Sequence, residues 1–205
     1  MAIVINGSGT VTGISVGGLP DGIVDAGTLA TNSVDSAELI DGSIDTAHIA
    51  ADQITGAILP AGSVIQVVGF TNSGSGYFAT SSETYVATLL TMAITPSATS
   101  SKIMVLASSY ASTEAVSRNM QYAIHRDIGG AGFSTLSRDA QGHGVVLSST
   151  GGALLRVPLA VSLLDSPNTT SAVTYTMYIK AGGAYAVEMP PGGGSHYITL
   201  MEIAG

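Results

Sequence analysis

The acidic side chains of residues 63–205 are the first candidates for chemistry, because hydrolases use paired carboxylates or a Ser/His/Asp set. Nothing in their spacing marks a pair: Asp127 and Asp165 stand beside turn signals, and Glu202 lies in a predicted terminal strand. We therefore predict that the chain is not an enzyme. The acids of this half are Glu83, Glu114, Asp127, Asp139, Asp165, Glu188 and Glu202.

Metal and cofactor chemistry is not expected either. The chain has no cysteine, and no two histidines have the i,i+2 or i,i+4 spacing of a metal motif. The glycine-rich residues 7–13 lack the spacing and the lysine of a phosphate loop. His143 is expected in a loop, where it is interpreted as an ordinary loop histidine, the alternative being a meeting of symmetry mates on a threefold axis. The histidines are His48, His125, His143 and His196.

Two loops are candidates for ligand contact. Residues 185–195 hold two prolines and three glycines without periodicity, which indicates a surface loop. A tyrosine beside such a loop can stack on a sugar ring through its apolar face. The second loop is residues 72–76, NSGSG, which Tyr77 follows. For both loops the alternative is a spacer that binds no ligand. The candidate contact residues are Tyr77, Tyr185, Pro190, Pro191 and Gly193.

The composition argues against nucleic acids and membranes as partners of this chain. Only 10% of the 205 residues are charged, and six basic residues against 14 acidic ones leave no basic patch for nucleic acid. No apolar run approaches the roughly 18 residues of a spanning helix, and the first residues lack the features of a secretory signal. We therefore expect neither membrane insertion nor nucleic-acid binding.

Charge and aromatic residues divide the chain into two parts. Residues 1–62 contain no lysine, arginine or aromatic residue, and they hold seven of the 14 acids. A segment without aromatic residues does not build a large core of its own. The sequence LPAG at residues 59–62 fits a boundary between this segment and the rest of the chain.

Residues 24–62 contain an apolar repeat with a spacing of five. Five is neither the strand period of two nor the helical period near 3.6, so short turns and extended pieces are expected. One apolar row has nothing of its own to bury against, and sister chains around a common axis are the simplest neighbours. A disordered acidic linker is the alternative. The predicted axis residues are Val24, Leu29, Val34, Leu39, Ile44, Ile49, Ile54 and Leu59.

Residues 63–205 alternate between apolar and polar positions, as strands do. Val173, Tyr175, Met177 and Ile179 share one face, and Pro158 predicts an edge strand or a bulge. Several such strands without an amphipathic helix predict an antiparallel jelly-roll-like sandwich, so the fold class is all-β. The predicted strands are 63–70, 85–94, 102–110, 120–125, 154–164, 173–180 and 196–203.

Four segments together resemble the fibre proteins of tailed phages, especially cyanobacterial ones. The opening residues 1–22 and the following repeats resemble the start of those proteins. Residues 94–105, ITPSATSSKIMV, resemble a signature of their C-terminal domains, as do residues 164–170, LDSPNTT. The end of the chain, residues 198–205, resembles their ITLMEIAA terminus.

The resemblance implies a homotrimeric virion fibre with three parts. Residues 1–23 would attach to other virion proteins, 24–62 would form an intertwined shaft, and 63–205 would form the head. The head would bind a host-surface glycan, and the protein would lie on the exterior of the virion, at the tail, the neck or the capsid. Two alternatives stay open: a capsid or neck decoration fibre without receptor binding, and a polysaccharide depolymerase.

Overall fold

The computed structural model describes residues 34, 39, 41–42, 44–45, 47–51, 53–54, 58–72, 78–113, 118–136, 143–147, 155–189 and 195–205. The chain divides into two units, Met1–Gln53 and Ile54–Gly205. The predicted limits at residues 23 and 62 stay predictions. All strands of the described residues belong to the second unit.

The regular structure of the described residues consists of eleven β-strands and no helix. Seven of them have at least eight residues and coincide with the seven predicted strands, which confirms the all-β class. The strands are β1 (Val64–Asn72), β2 (Phe78–Thr80), β3 (Val86–Ile94), β4 (Lys102–Thr113), β5 (Arg118–Ile128), β6 (Ser134–Thr135), β7 (His143–Leu147), β8 (Leu155–Asp165), β9 (Val173–Ala181), β10 (Val187–Met189) and β11 (His196–Ile203).

The strands form two antiparallel sheets. In the first, β4 pairs with β8 along one edge and with β11 and β10 along the other, and β1 and β2 extend it. The second has the order β3-β9-β5, with β6 and β7 along the far edge of β5. Numbered along the chain, the eight longest strands read 1-8-3-6 and 2-7-4-5, which is jelly-roll order.

The core lies between the sheets and follows the alternation of each strand. On β9, every second residue from Val173 to Ala181 is buried. Leu90 on β3, Ile103 on β4 and Leu200 on β11 fill the same layer and are fully buried. Truncation of such a side chain to alanine typically costs about 2–5 kcal/mol.

Three features refine the sequence interpretation. The short strands β2, β6, β7 and β10 carry too few residues for a period to be visible. His143 begins β7 opposite Tyr122 of β5, so its assignment to a loop is wrong. Pro158 lies on β8, which pairs only with β4 among the described strands, and this confirms the predicted edge strand.

Candidate functional site

The predicted loop contacts are only partly within the described residues. Tyr185 is half-buried just before β10, and its hydroxyl is bound to the backbone of Asn119: it donates to the carbonyl at 3.0 Å and accepts from the amide at 2.6 Å. Tyr77, Pro190, Pro191 and Gly193 lie outside the described residues. The polar group of Tyr185 is therefore already used within the chain.

A different set of rings lies together on the outer face of the second sheet. His125 of β5 and Tyr178 of β9 stack at 4.0 Å between ring centroids, with an interplanar angle of 12°. Tyr85 meets His125 edge-on at 5.3 Å, and Phe133 contacts Tyr178 at 5.6 Å. These four residues and Lys180 are called the aromatic cluster below.

Strand register brings the aromatic cluster together. Tyr178 and Lys180 are two residues apart on β9, so their side chains leave the same face of the sheet. Tyr178 pairs with Ala123, the outward neighbour of His125 on β5. Phe133 enters from the β5–β6 turn, where Gly129, Gly130 and Gly132 have positive φ angles that let the chain reverse.

The electrostatics of the aromatic cluster suit a neutral polar ligand. Burial lowers the pKa of His125, so its imidazole is neutral at neutral pH. Burial and the charge of Asp127 raise the pKa of Tyr178. The Lys180 ammonium lies 4.7 Å from the Tyr85 ring centroid, a cation–π contact. Aromatic faces beside hydroxyl and ammonium groups can bind a sugar ring by stacking and hydrogen bonding.

Glu202 has a structural environment. It is fully buried, and its Oε1 accepts from the amide and hydroxyl of Ser97 at 2.6 and 2.7 Å and from the hydroxyl of Ser101 at 2.6 Å. Gln66 donates to Oε2 at 2.6 Å. These bonds join β1 and β11 to the loop before β4, and no carboxylate partner for acid–base chemistry stands among them.

The described parts of the chain contain neither a group of side chains suited to bind a metal ion nor a helix suited to span a membrane. No group of three or more histidine or acidic side chains there could hold a metal ion. No helix within those same ranges is long and apolar enough to cross a membrane.

Five of the six described residues of the predicted axis row are exposed in the single chain. Val34, Leu39, Ile44, Ile49 and Ile54 expose between 38% and 51% of their surface. Leu59 is half-buried, while Val24 and Leu29 lie outside the described residues. These side chains are exposed in the single chain, and their burial between sister chains stays a prediction.

Sequence reasoning missed the aromatic cluster because its members come from distant segments. Residues 85, 125, 133 and 178 belong to four different strands or turns, and no local spacing connects them. The available signal was weak: Tyr178 and Lys180 occupy the polar-side positions of β9, where an aromatic ring is not required by the core.

Comparisons with known proteins give low similarity. No family model and no curated protein matches the chain. Eiger TNF from S. frugiperda is similar with a TM-score of 0.34 and 12% identity, over 67% of this chain and 93% of that one. The D431N mutant VP2 protein of infectious bursal disease virus has a TM-score of 0.37 and 10% identity, over 77% and 40%. The structure of the Gx strain of that virus gives 0.35 and 11%, over 70% and 39%.

Proposed function

We propose that this protein is a structural component of a phage virion, a short homotrimeric fibre with a β-sandwich head. The observation that carries the proposal is the exposed row from Val34 to Ile54, with five large aliphatic side chains at five-residue spacing. Full burial of one such side chain stabilises an assembly by about 1.5–3 kcal/mol. The row therefore provides a strong drive for association along its length.

Identical chains are the partners that match this row in length and spacing. Three copies around an axis bring corresponding aliphatic residues together at every step, while the acids between them, such as Asp45, remain in water. The resemblance of residues 1–22, 94–105 and 198–205 to phage fibres supports the same arrangement. Residues 1–23 would attach the fibre to other virion proteins.

Sedimentation of the full chain tests the homotrimer. The expected mass is three times 20.5 kDa. Because the chain has no cysteine, Ile44→Cys and Ile49→Cys each introduce one reporter thiol. Under oxidation these thiols are expected to form disulfide-linked pairs of chains, whereas exposed Asp41→Cys, the matched control, is expected to stay single. A single-chain mass at micromolar concentration would contradict the proposal.

The virion role needs its own experiment. An antibody raised against the chain should label intact particles on the tail, neck or capsid in electron micrographs. Labelled particles identify the attachment point, which also distinguishes a tail fibre from a decoration fibre. Purified particles that contain no such chain would overturn the virion assignment and leave the trimer as a separate result.

The aromatic cluster favours a second element of this function, the binding of a host-surface glycan by the head. Phe133 exposes 43% of its surface beside the stacked rings of Tyr178 and His125. Exposed rings on a rigid sheet lose little freedom when a sugar stacks on them, and three heads add weak contacts through multivalency. The loop around Tyr185 is the alternative contact surface.

A glycan array with the full chain tests this element. Phe133→Ala and Tyr85→Ala should each lower retention on the binding glycan, while Leu89→Ala, an exposed residue on the same sheet outside the aromatic cluster, should not. If only Tyr185→Ala lowered glycan retention, the binding site would be assigned to the loop around Tyr185. Absence of binding to any host glycan would favour the decoration fibre, and release of reducing ends would favour the depolymerase.

A further inference from the structure

The outer face of the first sheet is apolar, although nothing in the single chain covers it. Five large residues on this face expose between 37% and 56% of their surface. Polar residues are typical of the solvent side of an antiparallel sheet, so an apolar solvent side requires an explanation. The five residues, called the apolar face below, are Val67, Leu106, Tyr110, Leu164 and Tyr197.

Strand register joins these side chains into a continuous surface. Val67 on β1 pairs with Met201, which pairs with Met104 on β4, which pairs with Leu164 on β8. Adjacent strands lie about 4.8 Å apart, so this apolar row crosses four strands and extends roughly 14 Å. Leu106, two residues along β4 from Met104, continues the surface into the next row.

The second sheet has a mixed outer face, on which polar and charged side chains surround the aromatic cluster and the exposed Leu89. The outward positions of β5 and β9 include Gln121, Asp127, Thr174 and Lys180, which mix charged and hydrogen-bonding groups. The two faces differ although both sheets enclose the same core. The difference therefore reflects what each face meets outside the fold.

Charge indicates which partner fits. The outward positions of β4 from Met104 to Tyr110, with their neighbours on β1, β8 and β11, carry no acidic or basic side chain in the described residues. Charged side chains lie at the ends of the face: Lys102 at one end, and Arg156 and Glu188 beside Ser112 at the other. Residues 63–205 hold seven acidic and six basic side chains, so neighbouring copies of the head repel each other only weakly. An uncharged centre lets neighbouring heads approach closely, whereas a strongly charged partner would find no opposite charge there.

Shape gives the same indication. Ser108, Ala160 and Ser162 are small and leave a shallow depression of about 420 Å³ at the middle of the face. Leu164 and Tyr110 project near it on the same surface. Contacts around a threefold axis are heterologous, so each copy can offer projecting side chains to one neighbour and the depression to the other.

We infer that the apolar face is the contact surface between the heads of neighbouring copies of this chain. The inference rests on the proposed homotrimer and names the surface by which its heads associate. In this contact the apolar face of one head packs against the neighbouring head. The neighbour does not extend the sheet by pairing a strand with β8, since Pro158 has no amide hydrogen to donate at that edge.

Single-cysteine labelling of the full chain tests this surface. Leu106→Cys and Leu164→Cys should react with a maleimide about tenfold more slowly in the assembled protein than Leu89→Cys, because a covered thiol reacts only after opening. Leu89 exposes 51% of its surface on the second sheet and is the matched control. In denaturant all three thiols should react at one rate.

Charge insertion gives an independent readout. Leu164→Glu should shift the sedimenting species from three chains towards one, or raise the protein concentration at which the trimer dissociates. Leu89→Glu should leave both quantities unchanged. Where Leu164→Glu fails to fold, Ser162→Tyr fills the depression from an exposed position and serves the same purpose.

The outcomes separate this inference from the proposed fibre. Equal labelling rates in a chain that sediments as a trimer would overturn the head contact and leave the fibre standing. A wild-type chain that sediments singly would overturn both. Protection that appears only after a virion or host extract is added would assign the apolar face to another protein and also overturn the inference.

Discussion

Arg126 and Asp165 form an ion pair that joins the two sheets. One guanidinium nitrogen of Arg126 on β5 donates to both carboxylate oxygens of Asp165 on β8, at 2.8 and 2.9 Å. The hydroxyl of buried Tyr175 on β9 donates to the same carboxylate at 2.8 Å. Because Asp165 is nearly covered, its charge depends on these two partners rather than on water.

Removal of one partner of this pair should destabilise the head strongly. Arg126→Met leaves the Asp165 carboxylate without its cation, and loss of one partner from a buried pair costs about 3–5 kcal/mol. Tyr175→Phe removes one hydrogen bond and should cost about 1–3 kcal/mol. Urea unfolding at fixed protein concentration measures both.

The double variant Arg126→Met/Asp165→Leu provides the control for that prediction. With both charges absent, the loss should be smaller than in Arg126→Met alone, since no unpaired charge remains. Equal losses in the single and double variants would mean that packing, not charge pairing, accounts for the effect.

Glu202 should make the head sensitive to acid. Its burial raises the pKa, but hydrogen bonds from Ser101, Ser97 and Gln66 lower it more, so the folded pKa lies below the ordinary value of 4.5. A lowered folded pKa gives stability that is present above pH 4.5 and is lost as the pH falls towards the folded pKa. Thermal unfolding between neutral pH and pH 3 should show this loss.

Glu202→Gln should flatten that dependence. The amide has no charge to protonate, so the variant should be less stable at neutral pH and should lose less on acidification. Ser97→Ala retains the carboxylate and removes one hydroxyl donor, so it should reduce the slope only in part. A Glu202→Gln profile parallel to that of the wild type would exclude Glu202 as the source.

His196 should contribute a second pH dependence at higher pH. Its side chain is buried, neither ring nitrogen has a hydrogen-bond partner in the described residues, and Phe70 lies 6.2 Å away between ring centroids. Burial lowers the pKa of His196 below 6.5. The unfolded chain then binds the proton more readily, so stability is present above pH 6.5 and falls below it.

His196→Phe should remove this part of the pH profile. The replacement keeps a buried ring and eliminates the proton, so unfolding curves at pH 7 and pH 5.5 should lie closer together than those of the wild type. Burial also lowers the pKa of His125, so His125 should account for the pH dependence of stability that remains in His196→Phe. His125→Phe measures this second contribution separately. An unchanged gap in both variants would refute the assignment.

Gly182 should not tolerate a side chain. A Cβ there would lie 2.6 Å from the Cβ of Asn119, at the point where the Gly182 amide donates to the Asn119 carbonyl at 2.9 Å. Gly182→Ala must displace β9 from β5 and should cost about 1–3 kcal/mol. Gly69→Ala, which meets nothing closer than 3.5 Å, is the control for thermal unfolding.

Local alternation predicted the strands and their faces well. Val173, Tyr175, Met177 and Ile179 were expected on one face, and all four are buried in the core. The alternation holds because successive side chains leave a strand on opposite sides wherever that strand is placed. A short segment such as β7 shows no period, and only its pairing with β5 makes it a strand.

The amino-acid sequence by itself determined the all-β class, the shared face of Val173, Tyr175, Met177 and Ile179 and the five-residue apolar row, since these depend on neighbours along the chain. The tertiary structure decided which strands lie side by side. Met104 meets Met201 and Leu164, and His125 stacks on Tyr178, because hydrogen-bonded register joins segments that are far apart in the sequence. The apolar face and the aromatic cluster exist only through that register.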